Sequence, residues 1–326
     1  MSSNLSLTEL RNKPFVRKLT SSQSFYLIII IVLIGIFTSL INPRFTSIDN
    51  IKGVLSQIST LGLVSAGVTI LIISGNFDIS IGAIIGFSGT MMCLALKNGA
   101  SDIVAMIVAL AVATACSTLN GVLSVIFKAP SFIITLATTS VYTGLCLTIT
   151  GGGNVTIFNR MEYFAGTYLF NTIPLLFIVS FLGYIAIAFL LNYTQFGRRV
   201  FAIGNNPNAA YLAGINVNWN KIKFFMTSGI MTGIAVIMLV SRLGASQAST
   251  GSGMELQAIG AVIIGGAPIN GGKGNLLGTF SGVLLTGVIF NALNLLKVSP
   301  YLQQISFGLL IIMSIAISSM RLRGSK

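Results

Sequence analysis

Long apolar runs separated by short, mostly basic turns constrain this chain more than any other feature. Ten such runs can be marked, at 25–41, 55–74, 79–96, 103–127, 131–150, 174–191, 224–240, 256–267, 276–296 and 302–318. A helix needs roughly 20 apolar residues to cross about 30 Å of hydrocarbon. Within hydrocarbon, every backbone polar group must find its partner inside the protein. The runs therefore predict an all-α, polytopic membrane protein of about ten transmembrane helices. The eighth run is too short to cross as a helix and reads as a half-helix or re-entrant segment. Charged residues make up only 8% of the chain, against about 25% in soluble domains. That deficit excludes a large soluble core.

Organisation follows from the runs. Residues 1–24 form a polar, basic N-terminal segment, 25–318 a single membrane domain, 192–223 a long loop within it, and 319–326 a tail. The first run has no small-residue cleavage site after it and is expected to be a retained span rather than a signal peptide. Ser6 and Glu9 have capping-box spacing, which predicts a short interfacial helix ahead of it. With the N-terminus in the cytoplasm, the inside segments collect thirteen Lys and Arg and the outside segments six. The positive-inside bias then places both termini in the cytoplasm. The net charge of +13 accordingly reads as topology and contact with anionic lipid, with no nucleic acid implied. Cys93, Cys116 and Cys146 fall inside apolar runs and read as packing residues, and histidine, the commonest metal ligand and proton shuttle, is missing.

None of the ten runs contains Asp, Glu, Lys, Arg or His. Ion-coupled transporters usually keep ionisable groups at membrane depth, so uphill movement of a solute would draw its energy from another polypeptide. The alternative is an ion-coupled secondary transporter that holds sodium through carbonyls and hydroxyls. The chain offers no nucleotide site: 266–274 looks like a phosphate loop but fails the G-x-x-x-x-G-K-[ST] spacing, and reads as a tight turn.

The polar residues inside the runs are neutral. Asn120, Asn291, Asn294 and Gln257 are the candidates for a translocation pathway, because amides exchange hydrogen bonds with hydroxyls without the desolvation cost of a charge. Helix-to-helix hydrogen bonding is the competing role. Asp78 and Glu255, beside the third and eighth runs, are read as helix caps or turn residues. Gly82-x-x-x-Gly86 and Gly274-x-x-x-Gly278 echo each other, either as a trace of duplication or as two small-residue packing faces.

The loop at 192–223 carries the sharpest positive signal. Asn206 suits an N-cap, Pro207 the first helical position, and Gly214 the residue beyond the C-terminus. Between them lies a helix of about two turns, marginal on its own in water. Its capping at both ends predicts that it docks on something.

The run T-x-F-G-R-x-V-x-A-I-G-x-N at 194–206 and A-A-x-L-A-G-I-N-V at 209–217 are joined by G-x-x-D-I-S-I-G at 75–82, P-S-F-I-I-T-L-A-T at 130–138 and E-L-Q-A-I-G-A-V-I-I-G-G at 255–266. In this order they resemble the ribose-type permeases of bacterial ABC sugar importers, over nearly the whole of 55–315. The resemblance implies a permease of the inner membrane for a small neutral solute, such as the monosaccharide ribose. It implies as partners an ATP-binding subunit, a second permease copy or paralogue, an extracytoplasmic sugar-binding protein and membrane lipid. This chain would not be an enzyme and would hold no cofactor, ATP and Mg being bound by the partner subunit. Asn206, Pro207, Ala209, Ala210, Tyr211, Leu212 and Gly214 would form the coupling helix seated on the ATPase. Two departures stand out: Asn76 replaces a common second Gly before Asp78, and Pro207 and Asn208 replace acidic residues.

Overall fold

A computed structural model describes residues 23–157 and 160–323. The expected interfacial helix at Ser6–Glu9, and the rest of the first 22 residues, lie outside these. The elements in chain order are α1 (Gln23–Ile41), a 3-10 turn (Pro43–Thr46), α2 (Ile48–Ile73), α3 (Ile81–Lys97), α4 (Asp102–Ile126) and α5 (Ser131–Thr150). An excursion follows, with β1 (Val155–Thr156), α6 (Glu162–Gly166), β2 (Tyr168–Leu169) and β3 (Ile173–Pro174). Next come α7 (Leu175–Tyr193), α8 (Gln195–Asn205), α9 (Pro207–Leu212), α10 (Val217–Leu243), β4 (Ala245–Ser246), α11 (Met254–Ile264), α12 (Leu276–Leu295) and α13 (Pro300–Arg323).

Short polar side chains start most of the long helices. Ser47, Ser101, Asn216 and Asn275 each accept a hydrogen bond from a backbone N–H in the first turn of α2, α4, α10 and α12. Each thereby satisfies a donor that the helix cannot pair internally. Among the described residues, seven helices are long and apolar enough to cross a membrane. α3, with 17 residues, and α11, with 11, are shorter apolar helices.

The helices form one bundle around α2. From Ser56 onward α2 is nearly all buried, whereas α1 exposes Leu33, Phe37 and Leu40 along its outer side. Exposed apolar side chains on an outer helix are what hydrocarbon, not water, stabilises. α10 packs against α4, and the approach is close because Gly229 and Gly233 face it. A Cβ on either glycine would stand 2.9 Å from the Cα of Thr114 or Leu110. That small-x-x-x-small spacing is a backbone-approach device, and the sequence reading passed it over.

The eighth run departs furthest from a simple span. α10 ends on Gly244, whose φ of +68° is cheap only without a side chain. The chain then reverses, pairs β4 antiparallel with β1, and passes along α3 in a series of tight turns at 248–253 before becoming helical again at Met254. Gly89, Gly86 and Gly82 of α3 receive it in turn, against Ser246, Ala248 and then Gly251 and Glu255. The crossing expected at 256–267 is thus a run of turns followed by a half-helix. Non-helical backbone of this kind is tolerated at membrane depth only where protein or a cavity surrounds it.

The glycines of the sequence echo bear on this same segment. Gly82 and Gly86 hold its turns, Gly278 presses against Gly265 at the end of α11, and Gly274 instead meets the side chains of Ile73 and Ala267; Gly282, one turn beyond Gly278, packs on Ala261.

Candidate functional site

A cavity of about 350 Å³ lies between the start of α3, the C-terminal half of α5 and the turns at 247–252. Its wall is formed by Ile79, Gly82 and Ala83, by Thr139, Thr143 and Leu147 with Gly152, and by Gln247, Ala248, Ser249, Ser252 and Glu255. The polar groups are hydroxyls and one amide, with a single carboxylate and no Lys or Arg. Among the described residues, the side chains of Thr143, Gln247, Ser249 and Ser252 make no hydrogen bond within the protein. They remain available to a solute.

Behind this wall the break between α2 and α3 is tied into a buried polar knot. Asp78, 2% exposed, is not the N-cap of α3: that position belongs to Ser80. Asp78 instead accepts from the backbone N–H of Ser80 at 3.0 Å and from its hydroxyl at 2.6 Å. The Ser80 oxygen accepts in turn from the amide of Asn120 on α4 at 2.7 Å. The Asn120 carbonyl oxygen accepts from the Tyr142 hydroxyl on α5 at 3.0 Å. Ser131 and Thr135 of α5 accept from the N–H groups of Phe77 and Ile79. Two helices, α4 and α5, are thereby pinned to one irregular turn, and the N–H groups of Phe77, Ile79 and Ser80 are satisfied.

These two carboxylates change the reading of the bundle interior. The apolar runs hold no acid, but Asp78 in the helix break and Glu255 in the first turn of α11 both lie inside the bundle. A hydropathy window scores runs and passes over the irregular joints between them. Glu255 is not an N-cap either, since Gly253 holds that place. One Glu255 oxygen accepts from the Gly253 N–H at 3.2 Å, and Oε2 is buried with no partner.

The four pathway candidates are not brought together. Asn120 is fully buried in the knot and is not in the cavity wall. Gln257 lines a second space of about 220 Å³ with Arg242, Thr250 and Thr286. Asn291 exchanges amide hydrogen bonds with Asn50, at 2.8 and 3.0 Å, and Asn294 accepts from Gln303 at 2.9 Å. Both asparagines tie α12 to its neighbours near the turn into α13. The cavity residues Thr139, Thr143, Gln247, Ser249 and Ser252 were not singled out in the sequence. Their signal was the glycine spacing at 82, 86 and 89, which marks where a backbone comes close.

Beside the end of α2, α8 lies against the bundle and α9 extends from it. Asn206 caps α9 by accepting from the N–H groups of Asn208 and Ala209, both at 3.0 Å, and Pro207 follows at the first position. Gly214 closes it with φ +81°. Ala210 points into the core, whereas Asn206, Pro207, Ala209, Tyr211, Leu212 and Gly214 face outward. Tyr211 and Leu212 are 71% and 85% exposed, a large apolar exposure for so short a helix.

α8 bolts α9 to the bundle. The Asn205 amide donates to the carbonyls of Phe201 and Gly272, and the Gly272 N–H donates to the Ile73 carbonyl at 2.8 Å. Gly204 lies flat on this junction, with the Ile73 carbonyl where its side chain would be. The glycine turn at 266–274 is therefore one side of a three-way joint between α2, α8 and the α11–α12 connection. Five residues beyond Ile73 the chain reaches Asp78, and the cavity wall begins at Ile79.

Comparison with known proteins gives this architecture a family. Residues 50–315 match the family described as the permease component of branched-chain amino acid transport systems. The ribose import permease RbsC of Bacillus subtilis (strain 168) is 34% identical over 302 residues, 92% of each chain. The RbsC of Escherichia coli (strain K12) is 32% identical over 90% of this chain and 92% of its own length. The D-allose permease AlsC of the same strain is 32% identical over 94% of each. No solved structure matches the chain. A multi-pass bundle of this sequence, matched over nine-tenths of its length by such relatives, belongs to the ribose-type permeases of ABC importers, proteins of the inner membrane.

Proposed function

We propose that the chain is the membrane subunit through which an ABC importer moves a neutral monosaccharide inward, with ATP hydrolysed elsewhere. The family description names amino acids, while relatives over nine-tenths of the chain are named for ribose, D-allose and L-arabinose. The cavity favours the second group, because its wall offers hydroxyls, an amide and a carboxylate but no cation to hold an amino acid's carboxylate.

The observation that carries the reading is α9. A two-turn helix cannot hold itself together in water, yet this one is capped at both ends, exposes Tyr211 and Leu212, and is fixed through α8 to the end of α2. It is shaped to enter a partner's cleft and pass that partner's motion to the bundle. The outward residues Asn206, Pro207, Ala209, Tyr211, Leu212 and Gly214 form the docking face, with Ala210 as its anchor. In this arrangement the N- and C-termini and α9 are cytoplasmic, and the excursion at 151–173 is external. Ten crossings result when α3, the broken eighth segment and α13 are counted with the seven long helices. The partners are an ATP-binding subunit that holds ATP and Mg, a second permease protomer and an external sugar-binding protein. ATP binding shifts a pre-existing equilibrium between inward- and outward-open bundles, and the chain itself performs no chemistry.

Ala209→Asp tests the docking role. Ala209 is exposed at the third position of α9, where an acid suits the helix N-terminus, so the variant keeps the helix while placing a charge on its outer face. The expected result is a fully inserted permease that no longer co-purifies with the ATP-binding subunit. Intact association would refute it.

A further inference from the structure

Burying a carboxylate is costly unless its oxygens find donors, and Glu255 is only half provided for. One oxygen accepts from the Gly253 N–H, and the other rests against Gly82 without a partner among the described residues. Gly82 leaves the space: a Cβ there would collide with that oxygen. The same side chain forms part of the wall of the 350 Å³ cavity, whose lining contains no Lys or Arg. An ionised carboxylate has about four acceptor sites and donates nothing. What this corner lacks is therefore a neutral molecule rich in O–H donors.

We infer that the cavity is a transient sugar subsite on the translocation route, in which the Glu255 side chain turns its enclosed oxygen away from Gly82 to accept a hydrogen bond from a sugar hydroxyl. The inference rests on the reading of the chain as a sugar permease and adds the group that selects. Gln247, Ser252 and Thr143 complete the site with groups that donate and accept. The carboxylate also repels anions, so sugar phosphates and sugar acids are rejected at a step after the external binding protein. A single weak site of this kind lets solute enter and leave, as a route through a membrane requires. A carboxylate serving only the α11 N-terminus would need no cavity beside it.

The test uses the complete importer in proteoliposomes with ATP, its external binding protein, and a panel of tritiated neutral pentoses and hexoses. The readout is sugar imported per ATP hydrolysed, which a merely misfolded variant leaves unchanged because both quantities fall together. Glu255→Gln keeps shape and the Gly253 contact but loses the charge. It is expected to lower that ratio about tenfold, the effect of one charge-assisted hydrogen bond, and Ser252→Ala about threefold, nearer the value of a neutral one. Unchanged ratios in both variants would overturn the subsite. A wild-type complex that hydrolyses ATP yet imports no sugar of the panel would overturn the sugar reading itself, and this inference with it.

Discussion

Gly204→Ala should loosen the joint through which α9 acts on the bundle. A Cβ at this position meets the Ile73 carbonyl head-on and stands 2.8 Å from the Gly272 nitrogen and 2.9 Å from the Ile73 carbonyl carbon. All three are backbone atoms, so none can swing aside as a side chain would. Ordinary contact requires α8 to retreat by on the order of 1 Å. Overpacking of this kind costs ~1–3 kcal/mol. The retreat also strains two hydrogen bonds, Gly272 N–H to Ile73 at 2.8 Å and the Asn205 amide to Gly272 at 3.2 Å, each worth about 1 kcal/mol net. The combined loss is about 3 kcal/mol, or roughly 5 °C in melting temperature. Cys93, Cys116 and Cys146 are all buried, so a thiol-reactive fluorogenic dye reports unfolding of the solubilised protein directly. Gly144→Ala is the control, because a Cβ there meets nothing within 4 Å. It should be neutral or slightly stabilising. In the reconstituted importer, Gly204→Ala should also lower sugar imported per ATP about fivefold, within the ~0.5–2 kcal/mol through which residues along a coupling route act. Wild-type melting and wild-type coupling in Gly204→Ala would refute the joint.

Three further outcomes follow from the same geometry. Asn206→Ala removes the acceptor for two N–H groups of α9 and should cost about 1 kcal/mol, read as roughly fivefold weaker affinity for the ATP-binding subunit. Asp78→Ala strands the Ser80 N–H and hydroxyl in the buried knot and should cost about 2–4 kcal/mol by the dye assay, with Asp78→Asn, which keeps one acceptor, costing less. Gly86→Val places methyl groups against the Ala248 carbonyl, 2.5 Å from where a Cβ would lie, and should abolish uptake in a protein that still inserts. An active Gly86→Val permease would show that the turns at 247–253 do not sit on α3.

Much of this structure could be read before it was seen, and the reasons differ by element. Long spans announce themselves because a 20-residue apolar run has few other uses. α9 was legible from three residues, Asn206, Pro207 and Gly214, since each cap has its own local chemistry. The eighth run reads as too short, but nothing local shows that the turns at 248–253 complete it. Gln247, Ser249 and Ser252 look like an ordinary polar turn until the chain around them is seen packed on Gly82, Gly86 and Gly89. Asp78 and Glu255 read as helix caps or turn residues because they sit where helices begin, and only the packing of other elements around them shows that Asp78 is buried and that Glu255 lines a cavity. Asn291 and Asn294 could serve a pathway or a helix contact with the same amide, and the choice depends on Asn50 and Gln303. Local rules identify elements, whereas side chains with two equivalent uses are assigned by whatever long-range packing sets beside them.

The most direct test of the whole account is solute accumulation by the chain reconstituted with its ATP-binding subunit and external sugar-binding protein, with ATP supplied on the side of α9. The account predicts uphill uptake that requires hydrolysable ATP, stops in Ala209→Asp, and persists when proton and sodium gradients are collapsed. Accumulation by the permease alone under an ion gradient, without nucleotide, would contradict it.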